Sequence, residues 1–345
     1  MDSQQPVDRY RLVTANRPVG ESRYDRSEAF GPGANSEDGH VDQPSVVVIG
    51  NFDGVHKGHQ EVLRAARTPE PGARLVAVTF WPHPMSVVRP GQEPLLLCDL
   101  SHRISLLREA GADQVEVIRF TPELMATSPE DFVREKLLPL HPVRVVVGQN
   151  FRFGHRAAGT VDTLTELGAQ GLDGTRPFAV SVLELLVTEH HTTSSTEIRR
   201  LLAEGDVATA AQHLGRLFSF TGEVVVGHQR GREFGFPTAN LPVPKGFAAP
   251  ADGVYAGWLR RCDLPDAPLW PAAISVGTNP TFDDVPEVVV EAHVLDRDDL
   301  ELYGVQVSVD FVQRLRGNVK FEGIPQLIEQ IGADVEETRR VLGLG

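Results

Sequence analysis

The sequence predicts two folded parts in series: a doubly wound α/β domain built on a parallel sheet, then a compact antiparallel β-barrel or sandwich that ends in a helix. Three observations carry this. Continuous β-branched runs alternate with helical patterns from residue 45 to about 204, the pattern of strands covered on both faces by crossover helices. Beyond Gly205, apolar or alternating runs are separated by Gly, Pro and Asp turns, as in compact antiparallel sheets. And 345 residues exceed what one core usually holds.

In chain order, residues 1–44 mix Asp, Arg, Gly, Pro and Ser with almost no apolar periodicity, and are expected to be a disordered tail. The first domain, residues 45–204, has the strands "SVVVIG", "RLVAVTF", "QVEVIRF", "VRVVVG" and "FAVSVLELL". Its helices are "HQEVLRAAR", "DLSHRISLLREAG" and "SPEDFVREKLLP". In such a sheet, ligands are expected at the carboxyl ends of the strands. Residues 205–214 read as a connecting helix capped by Asp206. The second domain, residues 215–345, takes its strands from "FTGEVVVGH", "GVYAGWLR", "PAAISVG", "EVVVEAHVLD" and "GVQVSVDFVQRL" and closes with the helix "IPQLIEQIGADVEETRRVLG".

Composition limits the partners. Lys and Arg number 33 against 47 Asp and Glu, a net charge of −14, which argues against broad binding to nucleic acid or anionic membrane. A phosphate-bearing ligand must therefore be met locally, by amides, a few basic side chains or Mg²⁺. Cys98 and Cys262 stand in no metal-ligand spacing and fit a reduced cytoplasm. No apolar run approaches the roughly 18 residues of a membrane span, and the N-terminus lacks the order of a signal peptide. The expectation is a soluble, cytoplasmic protein with no membrane partner.

The stretch "VVVIGNFDGVHKGH", residues 46–59, runs from strand through glycine and turn into a helix. That arrangement points backbone N–H groups at an anion. Gly50 ends the strand, Gly54 permits a tight turn, and His56 and His59 fall at the helix N-terminus, where imidazoles donate to phosphate oxygens or, protonated, stabilise developing charge. On the local pattern alone, a structural turn with incidental histidines and a zinc clip stand beside this reading, although no third ligand sits at motif spacing. A second candidate anion site lies in "TTSSTEIRRLLAEGD". Ser194 and Glu197 have capping-box spacing, Leu201 and Leu202 form the apolar face, and Gly205 stops the helix. Hydroxyls on Ser195 and Thr196 with Arg199 would grip a polyphosphate; an ordinary capped surface helix is the alternative.

The second domain has no Walker-type phosphate loop, so a nucleotide bound there would need another cradle. In "GREFGFPTANLPV", the Thr238 hydroxyl and the Asn240 amide oxygen suit Mg²⁺ carrying nucleotide phosphates, although Gly, Pro and Asn together also make a plain turn. Alternation along "EVVVEAHVLD" puts Glu291 and His293 on one face, opposite Val290 and Ala292. Phosphorylating an alcohol calls for a base, and Glu291 is the candidate, against a solvated carboxylate on an exposed face.

"GNFDGVHKGH" with "SSTEIR" resembles the two signature motifs of the nucleotidyltransferase superfamily, and the form GxFDGVHxGH resembles that of prokaryotic FAD synthetases. "GQNFRFGHRAAGT", residues 148–160, is similar to the flavin- and phosphate-binding stretch of the same enzymes, and "GFPTAN", "PADGVYAG", "ISVGTNPTF" and "VEAHVLD" look like the flavokinase module. From residue 45 onward the chain thus resembles the bifunctional riboflavin kinase/FAD synthetases (FMN adenylyltransferases). The resemblance implies a doubly wound, Rossmann-like α/β nucleotidyltransferase domain followed by a Greek-key flavokinase barrel. It implies that His56 and His59 meet the ATP phosphates, that Gly50, Phe52, Asp53, Gly54, Ser195 and Thr196 line the nucleotide site, and that Ser195 and Arg199 hold the departing pyrophosphate. Asn150 would contact FMN phosphate or the metal. In the barrel it gives Mg-ATP to Thr238 and Asn240, the nucleotide loop to Gly231 and Arg232, and the base to Glu291. Asp53 is expected to support the turn, since a carboxylate facing polyphosphate would repel it.

The implied partners are ATP, riboflavin and FMN, with Mg²⁺ as cofactor and the protein a monomer or weak homo-oligomer. Trp81 stands before "PHP" where the family commonly has Asp, and Thr193 where it often has Ile. Three other readings compete. One module could be catalytically silent; the protein could be a flavin-sensing regulator, which predicts loss of Glu291 or the His pair; or the acceptor could differ, against which "GQNFRFG" speaks.

Overall fold

The computed structural model describes residues 43–67, 70, 72–183, 187–188, 191–227, 234–264, 266–279 and 287–344. The expected tail up to residue 42, and Gly231 and Arg232, lie outside them. Two compact units divide between Ser194 and Ser195. Among the described residues no helix is long and apolar enough to cross a membrane.

The first unit runs β1 (Ser45–Ile49), α1 (Lys57–Arg67), β2 (Arg74–Trp81), α2 (Pro84–Val88), α3 (Leu100–Glu109), β3 (Gln114–Arg119), α4 (Pro122–Ala126), α5 (Pro129–Phe132), β4 (Pro142–Gly148), α6 (Val161–Gln170) and β5 (Ala179–Leu183), then the short β6 (Val187–Thr188) and β7 (His191–Thr192). The five long strands pair in parallel, in the order β3-β2-β1-β4-β5. Every residue of β1 is buried, which is why the run reads as continuously apolar rather than alternating. Val47, Val76, Val78, Val145 and Val147 form one core with Phe132, Val133, Leu137 and Leu164. The order reverses direction between β1 and β4, so the loops after these two strands flank the switch-point crevice where open α/β sheets bind ligands.

Local chemistry sets the helix ends. Asp99 accepts from His102 N at 2.7 Å to start α3, and Ser128 accepts from Asp131 N at 3.0 Å with Pro129 in the first turn of α5. The single helix expected over 128–139 is broken. After Phe132 the chain continues as a π-turn, Val133–Leu137, and a 3₁₀ turn, Leu138–Leu140, and leaves through His141 at φ 54°. Pro139 has no N–H to carry an α-helical ladder onward. The sequence reading lacks α6. Its residues are rich in Thr and acid, and it forms on a reciprocal capping box between Thr160 and Thr163 with Leu164 and Leu167 buried.

The second unit opens with α7 (Ser195–Glu204) and α8 (Val207–Leu214). Leu201 and Leu202 are the buried face of α7, Leu202 O accepts from Ala251 N at 2.8 Å, and Asp206 caps α8 through Thr209 N at 2.9 Å. The barrel follows: β8 (Phe218–Glu223), β9 (Ala239–Pro242), β10 (Gly253–Arg261), β11 (Trp270–Asn279), β12 (Glu287–Val294) and β13 (Gln306–Arg316), then α9 (Ile324–Leu342). Neighbours pair antiparallel in the order β8-β13-β10-β11-β12-β9. The meander β10-β11-β12, with β13 returning beside β10, is a Greek key. A bridge from Val225 to Asn240, Val225 N donating to Asn240 O at 2.9 Å, joins the two ends of the sheet into a barrel. Tyr255, Ile274, Val276, Val290, Ala292 and Phe311 fill its core. Strand β9, inside a stretch the sequence reading treats as a turn, is the piece that completes the ring.

Candidate active sites

The loop after β1 is a strained turn. Phe52, Gly54 and Val55 all have positive φ, at 51°, 78° and 38°. Glycine tolerates this, whereas an aromatic and a β-branched residue do not, and such conformations cost about 1–3 kcal/mol each unless packing enforces them. Packing does so here: Phe52 and Val55 are buried at 2% and 1% exposure, and Val55 N closes the turn on Phe52 O at 3.1 Å. Gly50 N donates to Val78 O at 3.0 Å, ending β1 against β2.

The turn delivers two stacked imidazoles to the start of α1. The His56 and His59 ring centroids are 3.6 Å apart at 19°, and the Phe52 ring meets His59 edge-on at 5.2 Å. His59 N donates to His56 Nδ1 at 3.4 Å, so neutral His56 carries its proton on Nε2 and is a donor. The first turn of α1 holds no acidic residue, while Arg64 and Arg67 sit in its last turn, leaving the helix N-terminus positive. This is what an anion needs at a switch point.

Asp53 is held inside the fold. It is buried, and its carboxylate accepts from Leu97 N at 3.1 Å to each oxygen and from Arg103 Nη2 at 3.3 Å. Arg103, on the buried stripe of α3 with Leu100, Ile104 and Leu107, is fully buried. It also donates to Phe80 O at 3.3 Å and stacks over Trp81, 5.5 Å from the ring centroid. Trp81 thus covers the guanidinium that ties the turn after β1 to the end of β2. Sequence reasoning misses Arg103; its one signal is a basic residue at a core-facing position of an amphipathic helix.

Asn150 lies exposed just past β4, across the switch point from β1. The loop carrying it is built on Phe151 and Phe153, stacked at 5.3 Å, and on the paired Phe153 and Gly159. Thr193 O lies 3.6 Å from where a Cβ on Gly58 would be, which brings the start of "TTSSTEIR" to the first turn of α1. Ser195, Thr196 and Arg199 begin α7 of the second unit.

On the barrel, Glu291 on β12 is paired directly with Asn240 on β9. Asn240 Nδ2 donates to Thr238 O at 3.2 Å and to Thr238 Oγ1 at 3.3 Å. With its nitrogen so engaged, the amide presents Oδ1 as its acceptor end. A Cβ on Gly227 would lie 2.4 Å from that Oδ1. Only glycine at 227 leaves the amide in place, a role no local signal in "EVVVGH" reveals. Oδ1 and the Thr238 hydroxyl form a hard-oxygen donor set, and no group of three or more His, Cys, Asp or Glu among the described residues could hold a metal. Such a pair suits Mg²⁺, which keeps its waters and substrate phosphates instead of a protein cage. Val290, Ala292 and Val294 are buried while Glu291 and His293 face the other way. Burial pushes the His293 imidazole below its usual value of 6.5.

A parallel α/β unit with a strained glycine turn at its switch point, and a Greek-key barrel that pairs a carboxylate with an Asn–Thr turn, are what a two-unit, nucleotide-using transferase would present. The FAD synthetase family model matches residues 38–197 and the riboflavin kinase family model residues 214–342. The chain is 33% identical over 302 residues to a bifunctional riboflavin kinase/FMN adenylyltransferase of Listeria monocytogenes, covering 87% of this chain and 93% of that protein. To the protein of the same description from Bacillus subtilis it is 33% identical over 301 residues, covering 86% and 92%. A crystal structure described as a macrolide-efflux protein from Streptococcus pneumoniae aligns with a TM-score of 0.76 at 30% identity, over 88% of this chain and 97% of that one. The chain belongs to the bifunctional riboflavin kinase/FMN adenylyltransferase family.

Proposed function

We propose that this protein makes FAD from riboflavin in two consecutive ATP-dependent steps, one in each unit, in the cytoplasm. In the barrel unit, the riboflavin hydroxyl attacks the γ-phosphate of ATP, Glu291 takes its proton, and FMN and ADP leave. In the α/β unit, the FMN phosphate attacks the α-phosphate of a second ATP, the bond to the β-phosphate breaks, and FAD and pyrophosphate leave. The observation that carries the first step is the strand register. Glu291 and Asn240 are directly opposite, so a base and a phosphate-holding turn share one patch of the barrel. Mg²⁺, when bound, would neutralise charge on the nucleotide phosphates, with Thr238 Oγ1 and Asn240 Oδ1 to hold it.

The second step needs no base, because the attacking phosphate is already anionic; it needs position and charge stabilisation. The strained turn supports that assignment. His56 and His59 are held in one stacked pair at the α1 N-terminus, a positive helix end fixed before substrate arrives. Family resemblance gives Ser195, Thr196 and Arg199 the pyrophosphate end, Asn150 the FMN phosphate or the metal, and Gly231 and Arg232 the nucleotide loop of the barrel.

Supplying FMN and Mg-ATP without riboflavin tests the α/β step by itself: FAD and pyrophosphate should appear in equal amounts. Absence of both in folded protein would remove the adenylyl transfer. The barrel has its own test in Gly227→Ala. The new Cβ would sit 2.4 Å from Asn240 Oδ1 and force the amide off Thr238. A displacement of that size should lower kcat/KM for Mg-ATP in FMN formation on the order of 10²-fold, read from initial rates, with FAD formation from FMN unchanged.

A further inference from the structure

His293 shares a strand face with Glu291 but has no part in either step as written. Its surroundings give it one. The β9–β12 ladder stops at the pair Ala239 and Ala292, because Pro237, two residues further out, has no N–H to continue it. At that point the His293 ring takes over, its Nδ1 2.9 Å from Pro237 O. A carbonyl can only accept, so Nδ1 carries the proton. The ring is also braced edge-on against Phe236, at 5.4 Å and 77°. Thr238 therefore sits between two points fixed to β12: Pro237, held by the imidazole, and Ala239, held by the backbone ladder.

We infer that His293 is a positioning residue for riboflavin phosphorylation, a strut that sets the Thr238–Asn240 turn at a fixed height above Glu291. The inference rests on the kinase reading of the barrel. Glu291 and His293 are two residues apart on one extended strand, about 6.6 Å along its axis, so base and strut move as one piece. Tying the turn to the strand that carries the base spares substrate binding the ordering of the loop.

The test compares FMN formation by wild type, H293F and H293N. Phenylalanine keeps the ring against Phe236 and loses the donor; asparagine keeps a donor near the Nδ1 position. H293F should raise KM for Mg-ATP about tenfold, and H293N should return to within about threefold of wild type, as expected of a lost and then restored preorganising contact. FAD formation from supplied FMN should be the same in all three. If phenylalanine is not accommodated, H293Q, whose amide reaches the Nε2 position instead, takes its place with the same expectation. Wild-type kinetics in H293F, equal impairment of H293F and H293N, or a loss shared equally by both reactions would overturn the inference. A wild-type protein that makes no FMN would instead overturn the kinase reading beneath it.

Discussion

Glu291→Gln is expected to slow FMN formation by about 10²- to 10⁴-fold, the usual contribution of a positioned general base, while FAD formation from supplied FMN stays unchanged. Glutamine keeps the size and most of the hydrogen bonding of glutamate but cannot take a proton. Because Val290 and Ala292, which flank it on β12, are buried in the barrel core, the backbone should hold its place and the loss can be read as chemistry. His59→Ala should do the reverse. Removing the imidazole that stacks on His56 takes away a donor and loosens its partner, and should lower FAD formation by about 10²- to 10³-fold, as for loss of one preorganised donor, with FMN formation intact. Separate assays with riboflavin and with FMN measure both. Equal loss of the two activities in either variant would contradict independent modules.

Arg103→Met should destabilise the α/β unit by about 3–5 kcal/mol, the usual result of removing one partner of a buried ion pair. Both side chains are withheld from water, Arg103 at 0% and Asp53 at 2% exposure, so solvent screening cannot soften the loss. Methionine fills most of the space but takes the cation away from a carboxylate that accepts from the Leu97 amide and lies 3.8 Å from the Cys98 thiol. Denaturant unfolding followed by a probe in that unit measures the effect. Adding Asp53→Asn should recover a large part of it, because the neutral amide can still accept from Leu97 and no longer needs a cation. A double variant as unstable as Arg103→Met would show that the arginine acts through packing over Trp81 instead.

Much of this was legible before any fold was seen, for reasons that differ by residue. Strands β1, β2 and β4 announce themselves because burial on both faces demands unbroken apolar runs, and His56, His59, Thr238 and Glu291 stand in motifs whose spacing reflects one turn or one strand. Strand β9 is hidden because "TANL" looks like a turn and its ladder is with β12, whose Val290 pairs with Leu241 from far along the chain. Helix α6 is hidden because its capping box uses Thr163 where Glu or Gln is the usual signal, and its buried face is short. The supports of the sites are hidden for a common reason. Asp53 and Arg103 are 50 residues apart, His293 and Pro237 are 56, and the room Gly227 gives Asn240 exists only once the barrel closes. Local sequence carries the groups proposed to meet substrate; the contacts that hold them in place are made by the fold.

Both candidate sites lie on one chain, so a single protein should complete both reactions. The most direct measurement follows riboflavin with Mg-ATP and the purified protein over time, resolving flavins and nucleotides by chromatography. FMN should rise first and then give way to FAD, with one ADP and one pyrophosphate released for each FAD formed. Correctly folded protein that yields neither flavin product, with riboflavin oxidised or reduced, or that stops at FMN when ATP is in excess, would contradict a two-step synthesis of FAD on this chain.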